Sequence, residues 1–102
     1  MPKDDEALGE TPTPGKQPAR IDRWKYDLIR NFILEVVPSD EQGVEFRDLS
    51  KLAEQQISPS HLGNLGSVSW YTTTVKLDME VKGEMERVPG SNPQRLRITG
   101  TK

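Results

Sequence analysis

The chain has 102 residues, room for one small domain, with 14 Lys and Arg against 16 Asp and Glu. Cysteine is absent and His61 is the single histidine, which excludes a disulfide framework, a thiolate nucleophile, a zinc finger and a histidine-based metal cluster. No apolar run approaches the roughly 18 residues of a membrane span, and residues 1–20 lack the apolar segment of a signal peptide, so a soluble cytoplasmic protein is expected.

Residues 1–19 hold Pro2, Pro12, Pro14 and Pro18 with Gly9 and Gly15, and Ala7-Leu8 is their one apolar pair. Such a segment offers too little apolar surface to offset the entropy of ordering, and it reads as a disordered acidic tail. Its Lys3 and Lys16 are outnumbered by Asp4, Asp5, Glu6 and Glu10. Residues 20–102 are the expected domain and are formally neutral. Neutrality argues against strong indiscriminate phosphate binding but leaves room for a locally basic face.

The first helix is expected to begin at Asp22, whose carboxylate can accept from the free amides of the first turn, with Ile21 and Tyr26 at hydrophobic-staple spacing. Leu28, Ile29, Phe32, Ile33 and Val36 repeat at helical period, and Pro38 with the polar run Ser39-Asp40-Glu41-Gln42-Gly43 ends the helix. Val44-Glu45-Phe46 reads as a short edge strand or the entry to a second helix over residues 47–57, which sets Phe46, Leu49, Leu52, Ala53 and Ile57 on one side. Ser58-Pro59 fits an N-cap followed by proline at the first helical position, a single added turn, and Gly63-Asn64-Leu65-Gly66 reads as a flexible turn.

Ser67 is the expected N-cap of a third helix that Gly83 terminates in the left-handed conformation. Val68, Tyr71, Val75 and Met79 form one apolar stripe, while Trp70, Leu77 and Val81 lie nearly opposite. A helix apolar on both sides is either wholly internal or buries one side in its own domain and the other in a partner. Residues 84–88 and 94–99 alternate at period two around the turn-forming Pro89-Gly90-Ser91-Asn92-Pro93, which makes an antiparallel hairpin. The class is therefore α+β: three helices, a C-terminal two-stranded hairpin, and room for a short third strand.

The order helix, short strand, helix, helix, hairpin resembles the winged-helix class of helix-turn-helix domains. Met79, Glu80, Gly83 and Met85 occupy the places where many such regulators pass from their third helix into the first wing strand. A closer resemblance is to a family of small bacterial winged-helix-like proteins of unknown function. It is carried by Lys25-Tyr26, Trp70-Tyr71, Thr74-Val75, Leu77-Asp78-Met79-Glu80, Lys82-Gly83 and Arg97-Ile98, and covers roughly residues 20–99. One departure stands out. A tight helix-turn-helix joins its second and third helices by about 3–4 residues, whereas residues 58–66 separate them here.

The resemblance implies a non-enzymatic protein that contacts double-stranded DNA, as transcription regulators do, from the start of helix three and the wing. The candidate contacts are Ser67, Ser69, Thr72, Thr73 and Lys76 on the helix, and Arg87, Arg95 and Arg97 on the wing. Against it, base-reading Asn, Gln and Arg are missing from that part of helix three, and Asp78, Glu80, Glu84 and Glu86 lie close by. The alternative is a protein-interaction or dimerisation module on the same scaffold, using Trp24, Trp70, Tyr71 and Leu77; Trp70 and Tyr71 are expected first as core anchors that fix helix three against helix one, and otherwise as anchors for a protein partner.

No catalytic set, cofactor or metal site is expected. Ser58, Ser60 and His61 lack an orienting third group and an oxyanion site. Asp4-Asp5-Glu6 and Asp40-Glu41 lack calcium-loop spacing, and Gly63-x-x-Gly66 follows no strand that would make it a phosphate loop.

Overall fold

The long apolar stripe of residues 28–36 becomes helix α1 (Arg23–Val36), with Tyr26, Ile29, Phe32 and Ile33 buried. The computed structural model describes residues 6–11, 17–40 and 42–99. Asp22 precedes α1 but makes no side-chain cap; its carboxylate lies 3.8 Å from Lys25 Nζ instead. The helix stops two residues before Pro38, whose carbonyl accepts from Ile98 N at 2.9 Å and so pins the end of α1 to the C-terminal strand.

The chain is mixed α+β, with four α-helices and two small antiparallel sheets among the described residues. One sheet pairs β1 (Glu6–Gly9) with β2 (Ala19–Asp22). The other has the order β3–β5–β4, from β3 (Val44–Glu45), β4 (Met85–Arg87) and β5 (Arg95–Ile98). The short strand at Val44 is thus formed: Val44 pairs Leu96 and Glu45 pairs Arg95. Period-two alternation puts Met85, Leu96 and Ile98 into the core and leaves Glu86, Arg95 and Arg97 on the outer face.

Gly43 makes the turn into β3 feasible. Its φ is +58°, and a Cβ there would stand 2.4 Å from the Leu96 carbonyl oxygen, so both the conformation and the close approach need glycine.

The second helix is shorter than its pattern suggested. Phe46–Asp48 form a 3₁₀ turn, and α2 spans Leu49–Gln56 with Leu49 and Ala53 buried. Ser58 caps the next helix as expected, its Oγ accepting from His61 N, with Pro59 at the first position. That helix, α3 (Pro59–Leu65), continues through the residues expected to be a flexible turn. Leu65 is fully buried and anchors its end, Asn64 Nδ2 donates to the Ser60 carbonyl at 3.0 Å, and the break falls at Gly66, with φ +98°. Three helices become four because one apolar anchor holds a segment rich in turn formers.

The expectation of a disordered tail over residues 1–19 needs correcting where the structure describes it. β1 pairs with β2 in the register Ala7–Ile21 and Gly9–Ala19, and Ala7 is buried. Gly9 is packed so closely that a Cβ would meet Ile21 Cδ1 at 3.0 Å and Thr74 Cγ2 at 3.1 Å. Backbone pairing and small residues, rather than apolar area, hold this strand against the last long helix, α4 (Val68–Val81). The rest of the tail expectation, residues 1–5 and 12–16, lies outside the described residues.

The core lies between α1, α2, α4 and the inner face of the β3–β5–β4 sheet, around Ile29, Ile33, Leu49, Leu65, Val75, Met79 and Leu96. Ser67 caps α4, accepting from Trp70 N at 3.1 Å, and Gly83, at φ +75°, follows its end. Arg30 on α1 pairs with Glu84 at the entry to β4 at 3.0 Å, and the hydrogen bonds it donates to that carboxylate, ahead of an opposing effect of burial, raise the guanidinium's pKa. Among the described residues, no helix is long and apolar enough to cross a membrane.

Candidate functional site

Helix α4 presents its two apolar stripes very differently. Val75 and Met79 are fully buried, while Tyr71 and Val68 are half-buried against the core. At about 100° per residue, Trp70, Leu77 and Val81 fall within roughly 40° of one another and about 120–180° from Val75 and Met79. Trp70 is 47% exposed and Val81 45%, with Leu77 half-buried between them. The expectation left open whether both stripes were internal; the second faces outward.

Of the helix residues expected to touch DNA, Ser67 and Ser69 are exposed and Thr73 is half-buried. Thr72 and Lys76 are corrections, because both are buried. The Thr72 hydroxyl donates back to the Val68 carbonyl within its own helix. Lys76 Nζ sits 4.6 Å from the centre of the Phe46 ring and 2.6 Å from Glu80 Oε1, an ion contact without hydrogen-bond alignment. Its charge is spent inside the fold, and the whole 14-residue helix contains no Arg, Asn or Gln.

On the hairpin, Arg87 and Arg95 are exposed, donating to the Ser91 and Gln42 carbonyls at 3.2 and 3.3 Å. Arg97 is half-buried and paired with Glu86 at 2.5 Å. Glu45, opposite Arg95 in the sheet, also holds Arg47 at 3.2 Å. The outer sheet face therefore alternates in sign rather than forming a basic field.

The partner-binding candidates come together. Trp70 and Tyr71 meet edge to face with ring centres 4.8 Å apart. Lys25 Nζ donates to the Tyr71 hydroxyl at 3.3 Å and lies 5.2 Å from that ring and 5.6 Å from the Trp24 ring. Trp24 is 43% exposed, and its ring centre is 6.4 Å from that of His61. Trp24, Lys25, Tyr71 and Trp70 thus form one strip from the start of α1 to the start of α4, and Leu77 lies further along α4. Trp70 is not the core anchor it could have been. Beyond Trp24, a groove of about 220 Å³ runs between α1 and the α2–α3 junction, lined by Leu28, Asn31, Phe32, Glu35, Gln56, Ile57, Ser58 and His61. Ser58 Oγ and His61 Nδ1 lie 3.0 Å apart at its exposed rim, with Ser58 already serving as a helix cap.

Sequence reasoning missed the polar cluster that fixes α4 in place. Asp78 is fully buried; its Oδ1 accepts from Glu10 N at 2.9 Å, and its Oδ2 accepts from the Tyr26 hydroxyl and from Lys82 Nζ, the latter at 2.8 Å. Burial, followed by the hydrogen bond to Asp78, raises the Tyr26 pKa. Burial pulls the Lys82 pKa down, but its hydrogen bonds to Asp78 and Tyr26 outweigh that and leave it raised. The sequence showed a charge amid a helical core stripe with Lys82 four residues on, a spacing equally at home on a solvated helix face, and the partners that bury it are 52 and 68 residues away. Among the described residues, no group of three His, Asp or Glu side chains could hold a metal ion.

The profile of a family described as "Family of unknown function (DUF6958)" matches residues 8–96, and the chain belongs to that family. No curated protein and no solved structure matches the chain.

Proposed function

We propose that this member of a family of unknown function is a non-enzymatic protein-interaction module on a winged-helix scaffold, docking through the outward face of α4 and the aromatic strip beside it. The strand order β3–β5–β4 following a long helix supports the scaffold reading. The observation that carries the function is the near half exposure of Trp70 and Val81, on the helix face where a DNA reader needs hydrogen-bonding side chains. Neutral pairing of Lys76 and Arg97 weakens the DNA reading further, since phosphate affinity depends on uncompensated cations.

The test sets the two classes against each other. Fluorescent duplex is titrated with the full chain at low and moderate salt, and proteins retained from a cell extract are compared among wild type, Trp70→Ser and an Arg87→Ala/Arg95→Ala double variant. The expected result is no salt-dependent duplex binding, with retained protein lost in Trp70→Ser and kept in the arginine variant. Duplex binding with a steep salt slope that the arginine variant abolishes would overturn the proposal in favour of DNA.

A further inference from the structure

Strand β1 fits its seat on one face and mismatches it on the other. The seat is the paired edge of β2 and the flank of α4, and its inward contacts are small or made by backbone. Ala7 is buried, and at Gly9 a Cβ would meet Ile21 Cδ1 at 3.0 Å and Thr74 Cγ2 at 3.1 Å. The Glu10 amide donates to Asp78 Oδ1 at 2.9 Å, and the Glu6 carbonyl accepts from the Arg23 guanidinium at 2.9 Å. Residues directly opposite in an antiparallel pair share a face, so Glu6 stands against Asp22 and Leu8 against Arg20. Like charges so placed destabilise a pair, and Lys25, 3.8 Å from an exposed Asp22, offsets little of it. Leucine gives the exposed Arg20 no opposite charge.

The seat can be vacated without undoing the core. The Asp78 carboxylate divides its bonds: Oδ2 holds the Tyr26 hydroxyl and Lys82 Nζ, while Oδ1 takes the strand. When β1 lifts, the carboxylate keeps both other donors and Oδ1 meets water. Ala7 is the one buried apolar side chain of β1, and segments with so little buried apolar area are those that open locally. We infer that β1 is a placeholder and that its seat is an acceptor for an extended strand of a separate protein, with the residue order basic, small, acidic, glycine. The basic residue faces Asp22, the acidic one faces Arg20, the small one replaces Ala7, and the glycine enters the space between Ile21 and Thr74. The residue after it supplies an amide N–H to Asp78, which excludes proline there. Backbone pairing along the edge gives affinity, and the alternate side chains give selectivity. A second copy's β1 brings the same two mismatches and competes with a tethered strand at an effective concentration on the order of millimolar. Charge matching is what lets a foreign strand displace it. The site stands independently of any partner on the outward face of α4.

Two end-capped, fluorescently labelled peptides are titrated into the full chain and followed by anisotropy: Glu-Ala-Leu-Gly-Glu-Thr, which is residues 6–11, and the charge-matched Lys-Ala-Glu-Gly-Glu-Thr. The matched peptide should bind about tenfold more tightly, because each corrected cross-strand pair shifts the balance by about a few-fold. Valine in place of its glycine should abolish binding. Arg20→Glu should weaken the matched peptide about fivefold and leave the other within about twofold. Gly9→Val in the chain expels β1 and should raise the affinity of both peptides. In native-state hydrogen exchange of the wild type, the Glu10 amide should exchange about a hundredfold faster than that of Val75 inside α4. Equal affinity of the two peptides overturns the inference and reduces the site to one that β1 of another copy fills as well. Absence of binding to a Gly9→Val chain that circular dichroism shows to be folded overturns the acceptor. Loss of cooperative unfolding in Gly9→Val, or a Glu10 amide as slow as that of Val75, makes β1 part of the core and overturns the placeholder.

Discussion

Replacing Asp78 by asparagine keeps the side chain's shape and removes its charge and one acceptor, which isolates what the buried carboxylate contributes. Asp78 receives Glu10 N, the Tyr26 hydroxyl and Lys82 Nζ. A hydrogen bond to a charged group contributes about 1.5–3 kcal/mol, and a buried donor left without a partner costs about 1–3 kcal/mol. The Lys82 side chain is half exposed, so its ion pair is discounted to under about 1 kcal/mol. With the asparagine oxygen kept towards Tyr26 and Lys82, its amide nitrogen is turned towards Glu10 N, which loses its acceptor. The net loss is about 3 kcal/mol, a large share of the roughly 5 kcal/mol at the low end for small domains. At about 4–8 °C per kcal/mol for a domain of this size, the midpoint should fall by roughly 12–24 °C. Urea and thermal unfolding followed by far-ultraviolet circular dichroism give the loss. Hydrogen exchange should show the amides of Glu6–Gly9 and Glu10 opening well below the free energy of global unfolding. A loss under about 1 kcal/mol, with those amides as protected as Leu96, would refute the assignment of the cluster as the clasp of the N-terminal strand.

Three other outcomes follow from the same structure. Gly43→Ala combines a left-handed φ with a Cβ 2.4 Å from the Leu96 oxygen and should cost about 2–5 kcal/mol, whereas Gly90→Ala, at φ +74° with open space around it, should cost only about 1 kcal/mol; paired urea titrations compare them. Leu65→Ala should lose about 2–5 kcal/mol and strip α3 of exchange protection before α4, because Leu65 is the buried anchor of α3. The raised pKa values of Tyr26 and Lys82 mean that the folded chain keeps protons the unfolded chain releases above their ordinary values of 10.0 and 10.5. Their contribution is therefore complete below about pH 10 and lost as pH rises through the folded values. Tyr26→Phe should shrink that alkaline loss in a stability profile from pH 8 to 12, and an unchanged slope would count against the reasoning.

The elements governed by nearby residues were legible in the sequence. Ile29, Ile33, Val75 and Met79 announced buried helix faces by period, Ser67 and Gly83 bracketed α4, and the Leu96–Ile98 alternation gave a half-buried strand. What escaped depends on contacts distant in sequence. Residues 6–10 contain too little apolar area to predict a strand, and their anchor is a carboxylate 68 positions on. The length of α3 was hidden because Gly63 and Asn64 are turn formers, while the burial of Leu65 is a tertiary fact. At the candidate site, the two stripes of α4 could be seen but not which one faced out. Lys76 read as an accessible cation because its spacing shows neither the Phe46 ring beneath it nor how closely Glu80 approaches.

The link from Glu10 to Asp78 also sets an order of events during synthesis. β1 and β2 leave the ribosome well before α4, and the oxygen that secures them is made 68 residues after Glu10. The opening strand must therefore wait, held at most by its hairpin partner, until the last long helix arrives to close over it.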